Sequence, residues 1–431
     1  MSVEVHINCT WELKLCHIHR SAMDGNTTNC STDAIEYQSY FNYQVFNIAN
    51  HLILIGLLCV LGIIGNIFSI VVLQHDRAAK GTSLNFLLQA LAVCDSIFLF
   101  MRIFLYPLPT IFTTTGYLKS YYSMFLKTIT ILLPMIYTAQ GASIWLVVMV
   151  TIDRYLAVCR PLDIGMQCTK GKARQVVIIV IVLDILFNLP RFFERVTYTI
   201  TDPCTNVTIV TNKYSDFAQN PVYIKLYRIG AYFIVIYLIP LLVLSIMNTR
   251  LIQEIKRTSK VHKDLANSVA LMDTRKERHE KEITLTLIAV VTVFIITQTP
   301  DFIREIIVII FPVDMLSTVV NIQHGQFNWT IYYLGVCNLL LTVNSSVNFL
   351  IYCYFGRRFR RIFRVIFCMC VCKQERIKKF ALQSQESWIQ NENLGSNSSG
   401  SKTQMRNNNS RENSMPKSSS FINVISINTK L

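Results

Sequence analysis

Seven long apolar stretches constrain this chain more than any other feature of its sequence. Each holds about 20 or more mostly apolar residues, which is the length that an α-helix needs to cross the hydrocarbon core of a bilayer. Only helices and closed barrels satisfy their backbone groups in lipid, and these runs are too long and continuous for barrel strands. The sequence therefore predicts an all-α membrane protein, a seven-transmembrane helix bundle. The predicted spans are Ile48–Gln74, Leu84–Tyr106, Met124–Ile152, Gln175–Phe193, Leu226–Asn248, Ile283–Phe311 and Ile331–Tyr354.

The composition of the chain agrees with that of a membrane protein. Of the 431 residues, 52% are hydrophobic and 16% are charged, whereas an average soluble domain carries roughly a quarter charged residues. The formal net charge is +15. Because the lysines and arginines cluster in a few connections, we expect this charge to face the lipid bilayer, and we expect no nucleic-acid partner.

The distribution of lysine and arginine predicts the orientation. Arg250–Lys281 and Arg357–Lys379 carry nine each, whereas Pro312–Thr330 carries none. Connections rich in these residues stay in the cytoplasm. We therefore expect a multi-pass protein of the plasma membrane with an extracellular N-terminus, and a first span that inserts without a separate signal peptide. The predicted organisation is an N-tail at 1–47, the bundle at 48–355, an amphipathic helix at 356–367 and a tail at 368–431.

Glycosylation and disulfide formation are expected on the outer side. The tripeptide Asn-X-Ser/Thr accepts N-linked sugar only in segments that leave the cytoplasm. Four cysteines also fall outside, and four cysteines allow three pairings. The candidate glycosylation sites are Asn8, Asn26, Asn29, Asn206 and Asn328, and the disulfide candidates are Cys9, Cys16, Cys30 and Cys204.

The segment after the last span has the pattern of an amphipathic interfacial helix. In Gly356–Phe367, "GRRFRRIFRVIF", apolar residues recur at helical spacing and most positions between them are arginine. A cationic helix of this kind lies in the membrane interface. Cys368, Cys370 and Cys372 follow it, and are read either as palmitoylation sites or as free thiols. The rest of the tail, rich in Ser and Asn, is expected to be disordered and to offer phosphorylation sites.

Polar residues inside the predicted spans are expected to meet in the interior of the bundle. An Asp or Arg at mid-helix costs about 2.5–3.5 kcal/mol on insertion scales, so such groups should pair. One carboxylate ringed by amides and hydroxyls fits a small-cation site. A hydrogen-bonded packing network fits equally well from the residues alone. The set is Asn66, Asp95, Ser143, Asn344, Ser345 and Asn348.

Short motifs in these spans carry a family resemblance. They occur in the right spans, in order and at the right depths, and over about residues 48–367 the chain resembles a rhodopsin-like (class A) G-protein-coupled receptor. The motifs are "GN" at Gly65–Asn66, "LAVCD" at Leu91–Asp95, "DRY" at Asp153–Tyr155, Pro240, "FIITQTP" at Phe294–Pro300 and "NFLIY" at Asn348–Tyr352.

The resemblance implies a signalling mechanism at the cytoplasmic end. Arg154 is restrained by Asp153 at rest, and turns towards a heterotrimeric G protein when the sixth helix swings outward. Glu280 lies twenty residues before Pro300, about 30 Å along a helix, where it could pair with Arg154. The resemblance assigns further roles: Tyr155 and Tyr352 belong to the activation motifs, Leu162 contacts the G protein, the Asp95 cluster is an allosteric sodium site, and arrestin and a receptor kinase act on the tail.

Four positions depart from the family pattern. Gln298 stands for the usual Trp of the sixth span, Phe349 for the usual Pro of the seventh, and Val180 for the Trp of the fourth. The start of the third span, Gly116–Ile129, has no Cys. The usual disulfide to the following outer loop cannot form there, so we expect Cys204 to pair with a cysteine of the N-tail.

Three segments resemble invertebrate receptors for FMRFamide-like neuropeptides. They are "NLPRFFE" at Asn188–Glu194, "QTP" in the sixth span and "NSSVNFLIYCYFGRRFR" in the seventh. The resemblance implies a short peptide ligand that ends in Arg-Phe-amide. Asp301 and Glu305 share one face of the sixth helix and are the candidates to bind the ligand's arginine. Arg102 could instead neutralise one of them, and Tyr137, Gln140, Gln298 and Asn338 are expected to line the pocket.

Two other functional classes fit the sequence less well. A seven-helix transporter or channel would be expected to show inverted repeats, and the two halves show none. An enzyme is not expected, because the sequence has no paired carboxylates, metal-spaced histidines or nucleophile elbow, and no cofactor is expected besides the sodium ion. A class A receptor for another peptide or a small ligand stays open.

Overall fold

Each of the seven predicted spans overlaps a helix of the structure, although the bounds differ by several residues. The computed structural model describes residues 41–76, 81–160, 169–201, 208–265, 273–310 and 329–368. Within these ranges, six helices are long and apolar enough to cross a membrane singly, and a bent pair forms the seventh. The membrane helices, first to seventh, are Phe41–His75, Ser83–Leu105, Lys119–Cys159, Lys170–Asn188, the consecutive segments Tyr223–Ala231, Phe233–Leu238 and Ile239–Leu265, then Asp273–Ile310, and the pair Trp329–Ser346 and Asn348–Phe355.

Apolar side chains fill the interior and also cover the outside of the bundle. Leu91, Phe98 and Leu146 are fully buried between helices, whereas Leu183 and Ile246 are largely exposed. A soluble protein rarely exposes continuous apolar surface of this kind, because water disfavours it. The exposed leucines and isoleucines match a hydrocarbon surrounding, so the fold is that of a seven-helix membrane bundle.

Threonine caps begin two of the helices at the same end of the bundle. Thr82 precedes the second helix, and its hydroxyl accepts a hydrogen bond from the backbone N–H of Asn85 at 3.3 Å. Thr169 precedes the fourth helix and accepts from the N–H of Lys172 at 3.4 Å. Such caps satisfy N–H groups that have no partner within the helix. The two threonines also form an isolated antiparallel bridge, which ties the starts of these helices together.

A β-hairpin between the fourth and fifth helices departs from the all-α prediction. Strand β1, Arg195–Thr201, pairs antiparallel with β2, Thr208–Tyr214. A two-stranded hairpin alone is only marginally stable in water. Here the Asn212 side chain donates a 2.6 Å hydrogen bond to the carbonyl of Leu126 on the third helix, and so anchors the hairpin to the bundle.

The connection after the second helix is also more regular than the sequence indicated. A short helix, Pro107–Thr115, follows directly. Proline suits the first turn of a helix because its missing N–H would have no partner there. The short helix ends at Gly116, whose φ of 74° lies in the left-handed region that glycine adopts without strain.

The seventh helix bends without the proline that the family pattern has near this point. Its two parts meet at an angle of 48° around Val347. The hydroxyl of Ser346 lies 2.6 Å from the carbonyl oxygen of Thr342 and 3.0 Å from that of Leu58 on the first helix. Side chains that bond into the helical ladder are one known cause of such bends.

The terminal amphipathic helix, Arg357–Cys368, begins and ends one residue later than predicted. The face of this helix that carries the phenylalanines packs on the bundle. Its composition also suits contact with lipid. Phe363 contacts Phe349 of the seventh helix at a ring-centroid distance of 5.4 Å, and Phe367 contacts Phe68 of the first at 4.6 Å. Arg358 pairs with Asp76 in addition, so the helix is tied to two sides of the bundle.

Close packing between the third and fourth helices predicts a large effect of one added methyl group. A Cβ at Gly141 would lie 2.1 Å from the Asp184 carboxylate, which Asn188 holds by a 3.3 Å hydrogen bond. Overpacking of this kind costs about 1–3 kcal/mol. We expect Gly141→Ala to lower the melting temperature of the detergent-solubilised protein.

The matched control for Gly141→Ala is Gly56→Ala. A Cβ at Gly56 would meet its nearest neighbour, Pro107, at 3.6 Å, which is an ordinary contact. Alanine also favours the helix over glycine by up to about 1 kcal/mol. The control should therefore be neutral or stabilising, and equal melting temperatures for the two variants would contradict the packing described.

Candidate functional site

Predicted functional residues occur at three depths in the bundle. We call the end at which the first helix begins the outer end, and the opposite end the inner end.

At the inner end, Asp153 is 7% exposed and both of its carboxylate oxygens are engaged. Ser83 donates to one oxygen at 2.5 Å, and Arg154 donates to the other at 2.7 Å from Nη2 and 3.2 Å from Nε. The guanidinium is thus held against its sequence neighbour.

Ser83 was not singled out from the sequence, although it completes this inner site. It is the first residue of the second helix, and the Thr82 cap fixes its position. By occupying one oxygen of Asp153, it leaves the other for Arg154. Asp153 lies 70 residues away in the sequence, so no local pattern indicates this contact.

The other residues predicted at the inner end are placed as follows. Tyr352 is buried, with its ring 5.6 Å from that of Phe359, and Tyr155 is half-buried. Glu280 lies in the sixth helix, but its side chain is outside the described part, so its pairing with Arg154 stays a prediction. A neighbouring acid, Glu282, pairs instead with Arg357 of the amphipathic helix at 3.3 Å.

At mid-depth the structure brings Asp95 together with most of its predicted partners. Asp95 is fully buried. Ser143 of the third helix donates to one carboxylate oxygen at 2.6 Å, and Asn348 of the seventh donates to the other at 2.8 Å. Asn66 of the first helix donates to the carbonyl of Ser345 at 3.1 Å. One carboxylate thereby joins the third and seventh helices.

Asn344 is not part of the described contacts of Asp95. Its side-chain oxygen accepts a 3.3 Å hydrogen bond from Thr297, and so links the seventh helix to the sixth. Asp95 and the polar side chains that remain around it offer oxygen atoms, and a hard cation takes oxygen ligands. Among the described residues, the side-chain oxygen of Asn66 is buried without a hydrogen-bond partner, as a ligand oxygen would be.

At the outer half, Asp301 is 3% exposed and accepts a hydrogen bond from the hydroxyl of Tyr237 on the fifth helix. The contacts described for Arg102 lie elsewhere. Its guanidinium donates to the Asn338 carbonyl at 2.8 Å and lies over the rings of Phe98 and Tyr106 at 5.1 and 4.6 Å. Among the described side chains, Arg102 therefore does not neutralise Asp301. The Glu305 side chain lies outside the described part.

Two amides predicted to line the pocket have polar atoms without partners. Among the described residues, Nε2 of Gln140 and Oε1 of Gln298 are buried and make no hydrogen bond. A buried amide atom left unpaired costs about 1–3 kcal/mol. One is a donor and the other an acceptor, which are the two kinds of group that a carboxamide binds.

A cluster of charged and aromatic residues at the outer end was missed by sequence reasoning. Arg191, in a 3₁₀ turn at the end of the fourth helix, is 6% exposed and lies between two tyrosine rings. Its guanidinium is 4.2 Å from the ring centroid of Tyr137 and 3.9 Å from that of Tyr232. Glu194 lies 3.7 Å away. The only sequence signal was the Arg-x-x-Glu spacing inside "NLPRFFE".

Comparison with known proteins identifies the family. The model of the family described as 7 transmembrane receptor (rhodopsin family) matches residues 65–352. The chain belongs to this family.

Individual relatives of this receptor are similar over its helical part. The FMRFamide receptor of Drosophila melanogaster is 34% identical over 317 residues, which cover 73% of this chain and 53% of the relative. An FMRFamide peptide receptor of Caenorhabditis elegans is 28% identical over 307 residues, covering 70% and 65%. The sex peptide receptor of Drosophila melanogaster is 25% identical over 327 residues, covering 72% and 70%. The receptor thus spans about half the length of the first relative.

Several predicted sites of the receptor lie outside the described residues and stay predictions. They are the glycosylation sites, the four disulfide candidates, the tail cysteines apart from Cys368, and the G-protein contact. Cys368 ends the amphipathic helix, and its side chain is not described. The residues concerned are Asn8, Asn26, Asn29, Asn206, Asn328, Cys9, Cys16, Cys30, Cys204, Cys370, Cys372 and Leu162.

Proposed function

We propose that this receptor detects a short peptide ending in Arg-Phe-amide and activates a heterotrimeric G protein. The observation that carries the proposal is the buried carboxylate of Asp301 in the outer half of the sixth helix. A guanidinium binds such a carboxylate with two charge-assisted hydrogen bonds, so the arginine of a ligand is a fitting partner for it. The names of the fly and worm relatives, both FMRFamide receptors, support an arginine-containing ligand.

Two amide side chains of the predicted pocket favour a ligand that ends in a carboxamide. Gln140 offers an unpaired N–H donor and Gln298 an unpaired oxygen acceptor. A terminal carboxamide presents one acceptor and two donors and can satisfy both, whereas a carboxylate has no proton for Gln298. The proposed pocket therefore prefers an amidated C-terminus.

The inner site supplies the proposed output. The receptor lies in the plasma membrane with its N-terminus outside, and outward movement of the sixth helix frees Arg154 from Asp153 to contact the G protein. The pair is held by hydrogen bonds at a helix end, and these bonds can be exchanged for bonds to the groups of a partner. Arrestin and a receptor kinase act on the tail after activation.

A panel of amidated peptides tests the proposed function. Cells expressing the receptor are exposed to peptides ending in Arg-Phe-amide and to their free acids, and second-messenger responses are recorded against untransfected cells. We expect the amidated forms to act at lower concentration. Responses to unrelated peptides or small ligands alone would instead assign a class A receptor of another specificity.

Sodium dependence of peptide binding tests the Asp95 cluster. A bound ion that favours the resting receptor must lower peptide affinity, and couplings of this kind are about 5–150-fold. We expect replacement of Na⁺ by N-methylglucamine to raise peptide affinity in the wild type and to leave it unchanged in Asp95→Asn. The control is Asp216→Asn, an exposed acid between β2 and the fifth helix. Equal sodium responses in all three receptors would exclude the site.

A further inference from the structure

A cavity at the outer end carries more positive charge than the proposed ligand contacts use. It opens between the third, fourth and fifth helices and the hairpin, and its volume of about 20 Å³ is enough for one small polar group. Its polar lining consists mainly of Tyr137, Arg191, Glu194, Arg195, Tyr214 and Arg228. Three guanidinium groups therefore face a single carboxylate.

The single carboxylate is already engaged. Glu194 accepts a 2.9 Å hydrogen bond from Tyr223 and lies 3.7 Å from the guanidinium of Arg191. In the described part of the chain, neither Arg195 nor Arg228 has a carboxylate within ion-pair distance. Both instead donate to one neutral oxygen, the hydroxyl of Tyr214, at 3.2 and 3.1 Å.

The pKa of Tyr214, whose phenol lies between these two arginines, reflects the excess positive charge. Burial by itself raises the pKa of Tyr214, but the guanidinium groups of Arg228 and Arg195 outweigh burial and lower it. A group that meets two cations is stabilised most as an anion. The cavity thus favours negative charge at the place where both arginines point.

Arg191 adds an unused donor to the lining of the cavity. Its Nε makes no hydrogen bond among the described residues, although the side chain is 6% exposed. The rings of Tyr137 and Tyr232, which stand edge to face with each other, hold the guanidinium in place by cation–π contacts. An anion that accepts a bond from Nε would satisfy the buried N–H.

We propose that this cavity binds a carboxylate of the peptide, supplied by an acidic side chain that precedes the Arg-Phe-amide end. The inference rests on the proposed function and extends it, because the receptor then recognises two charged groups of the ligand. Its arginine meets Asp301, and its acidic side chain meets the arginines of the cavity. A carboxylate suits them because each oxygen accepts charge-assisted hydrogen bonds from a guanidinium.

Matched peptides test this reading. Amidated peptides carry a single Asp at successive positions before Arg-Phe-amide, and each has an Asn twin. We expect one position where the Asp peptide is about tenfold or more potent, as charge-assisted bonds provide. That ratio should fall towards one in Arg195→Gln and Arg228→Gln. It should persist in Lys225→Gln, which removes an exposed charge near Arg228 and outside the cavity lining.

The other outcomes are distinct. No Asp preference at any position, or equal loss for the Asp and Asn twins in the arginine variants, overturns the inference. Free-acid Asn peptides that gain potency through Arg228 would place the carboxylate at the C-terminus, and would overturn both the acidic side chain and the amidated ligand.

A separate measurement decides the case in which no Arg-Phe peptide acts and the proposed function fails. The melting temperature of the solubilised receptor is then compared in N-acetyl-aspartate amide and N-acetyl-asparagine amide at matched ionic strength. Greater stabilisation by the aspartate probe, absent from the Arg195→Gln/Arg228→Gln double variant, supports the carboxylate site. Equal stabilisation by both probes, or none, overturns it.

Discussion

Arg154→Ala is expected to abolish G-protein activation while leaving surface expression and peptide binding unchanged. The guanidinium contacts Asp153 at the inner end of the third helix, far from Asp301 and the outer cavity. Asp153 is buried, but it keeps the hydrogen bond from Ser83 when Arg154 is removed, so the fold should tolerate the change. Surface immunolabelling, radioligand binding and nucleotide exchange on the G protein measure the three properties separately.

The control for this prediction removes another arginine from the same end. Arg174 is exposed in the first turns of the fourth helix, and Arg174→Ala should signal normally. Normal nucleotide exchange by Arg154→Ala would show that this arginine only ends the span. Loss of surface expression would show that its role is structural.

Asp301→Asn is expected to weaken an Arg-Phe-amide peptide by roughly 10–150-fold, which corresponds to the 1.5–3 kcal/mol of a hydrogen bond to a charged group. The substitution keeps the shape of the side chain and removes its charge. The peptide's citrulline analogue lacks the matching positive charge, so its potency should change much less. Concentration–response curves for both peptides on both receptors give the coupling between the two charges.

Tyr237→Phe separates the charge of Asp301 from its hydrogen bond. It removes the hydroxyl that donates to Asp301 and leaves the carboxylate charged. If the peptide's arginine recognises the charge of Asp301, Tyr237→Phe should retain most of the preference for the arginine peptide over the citrulline peptide. An equal loss for the arginine and citrulline peptides in Asp301→Asn would show that Asp301 only supports the helix pair.

Sequence reasoning succeeded where a single strong force decides the structure. The seven spans follow from the cost of exposing backbone groups to lipid, which leaves few alternatives for an apolar run of that length. The cluster of Asp95, Ser143 and Asn348 follows in the same way, because isolated polar groups in a span must find partners. These residues are indeed hydrogen-bonded together in the structure.

It failed where the partner lies far away in the chain and the local pattern is weak. The strands Arg195–Thr201 and Thr208–Tyr214 are short, and their attachment depends on Asn212 reaching a carbonyl of the third helix. Nothing in the local sequence distinguishes Arg191 from an ordinary charge at the end of a span. Its position between Tyr137 and Tyr232 comes from the packing of three helices, which no local spacing reveals.

The bend of the seventh helix shows what the replacement of proline by Phe349 changes. A proline removes a backbone donor and clashes with the preceding turn, so the distortion it causes is built into the covalent chain. Here the 48° angle is accompanied by the bonds of the Ser346 hydroxyl, and the adjoining Asn348 is tied to Asp95. Bonds of this kind can be exchanged, so the covalent chain does not fix this angle as a proline would. Because Asn348 donates to Asp95, the part of the helix that carries Tyr352 is coupled directly to the contacts of that one carboxylate.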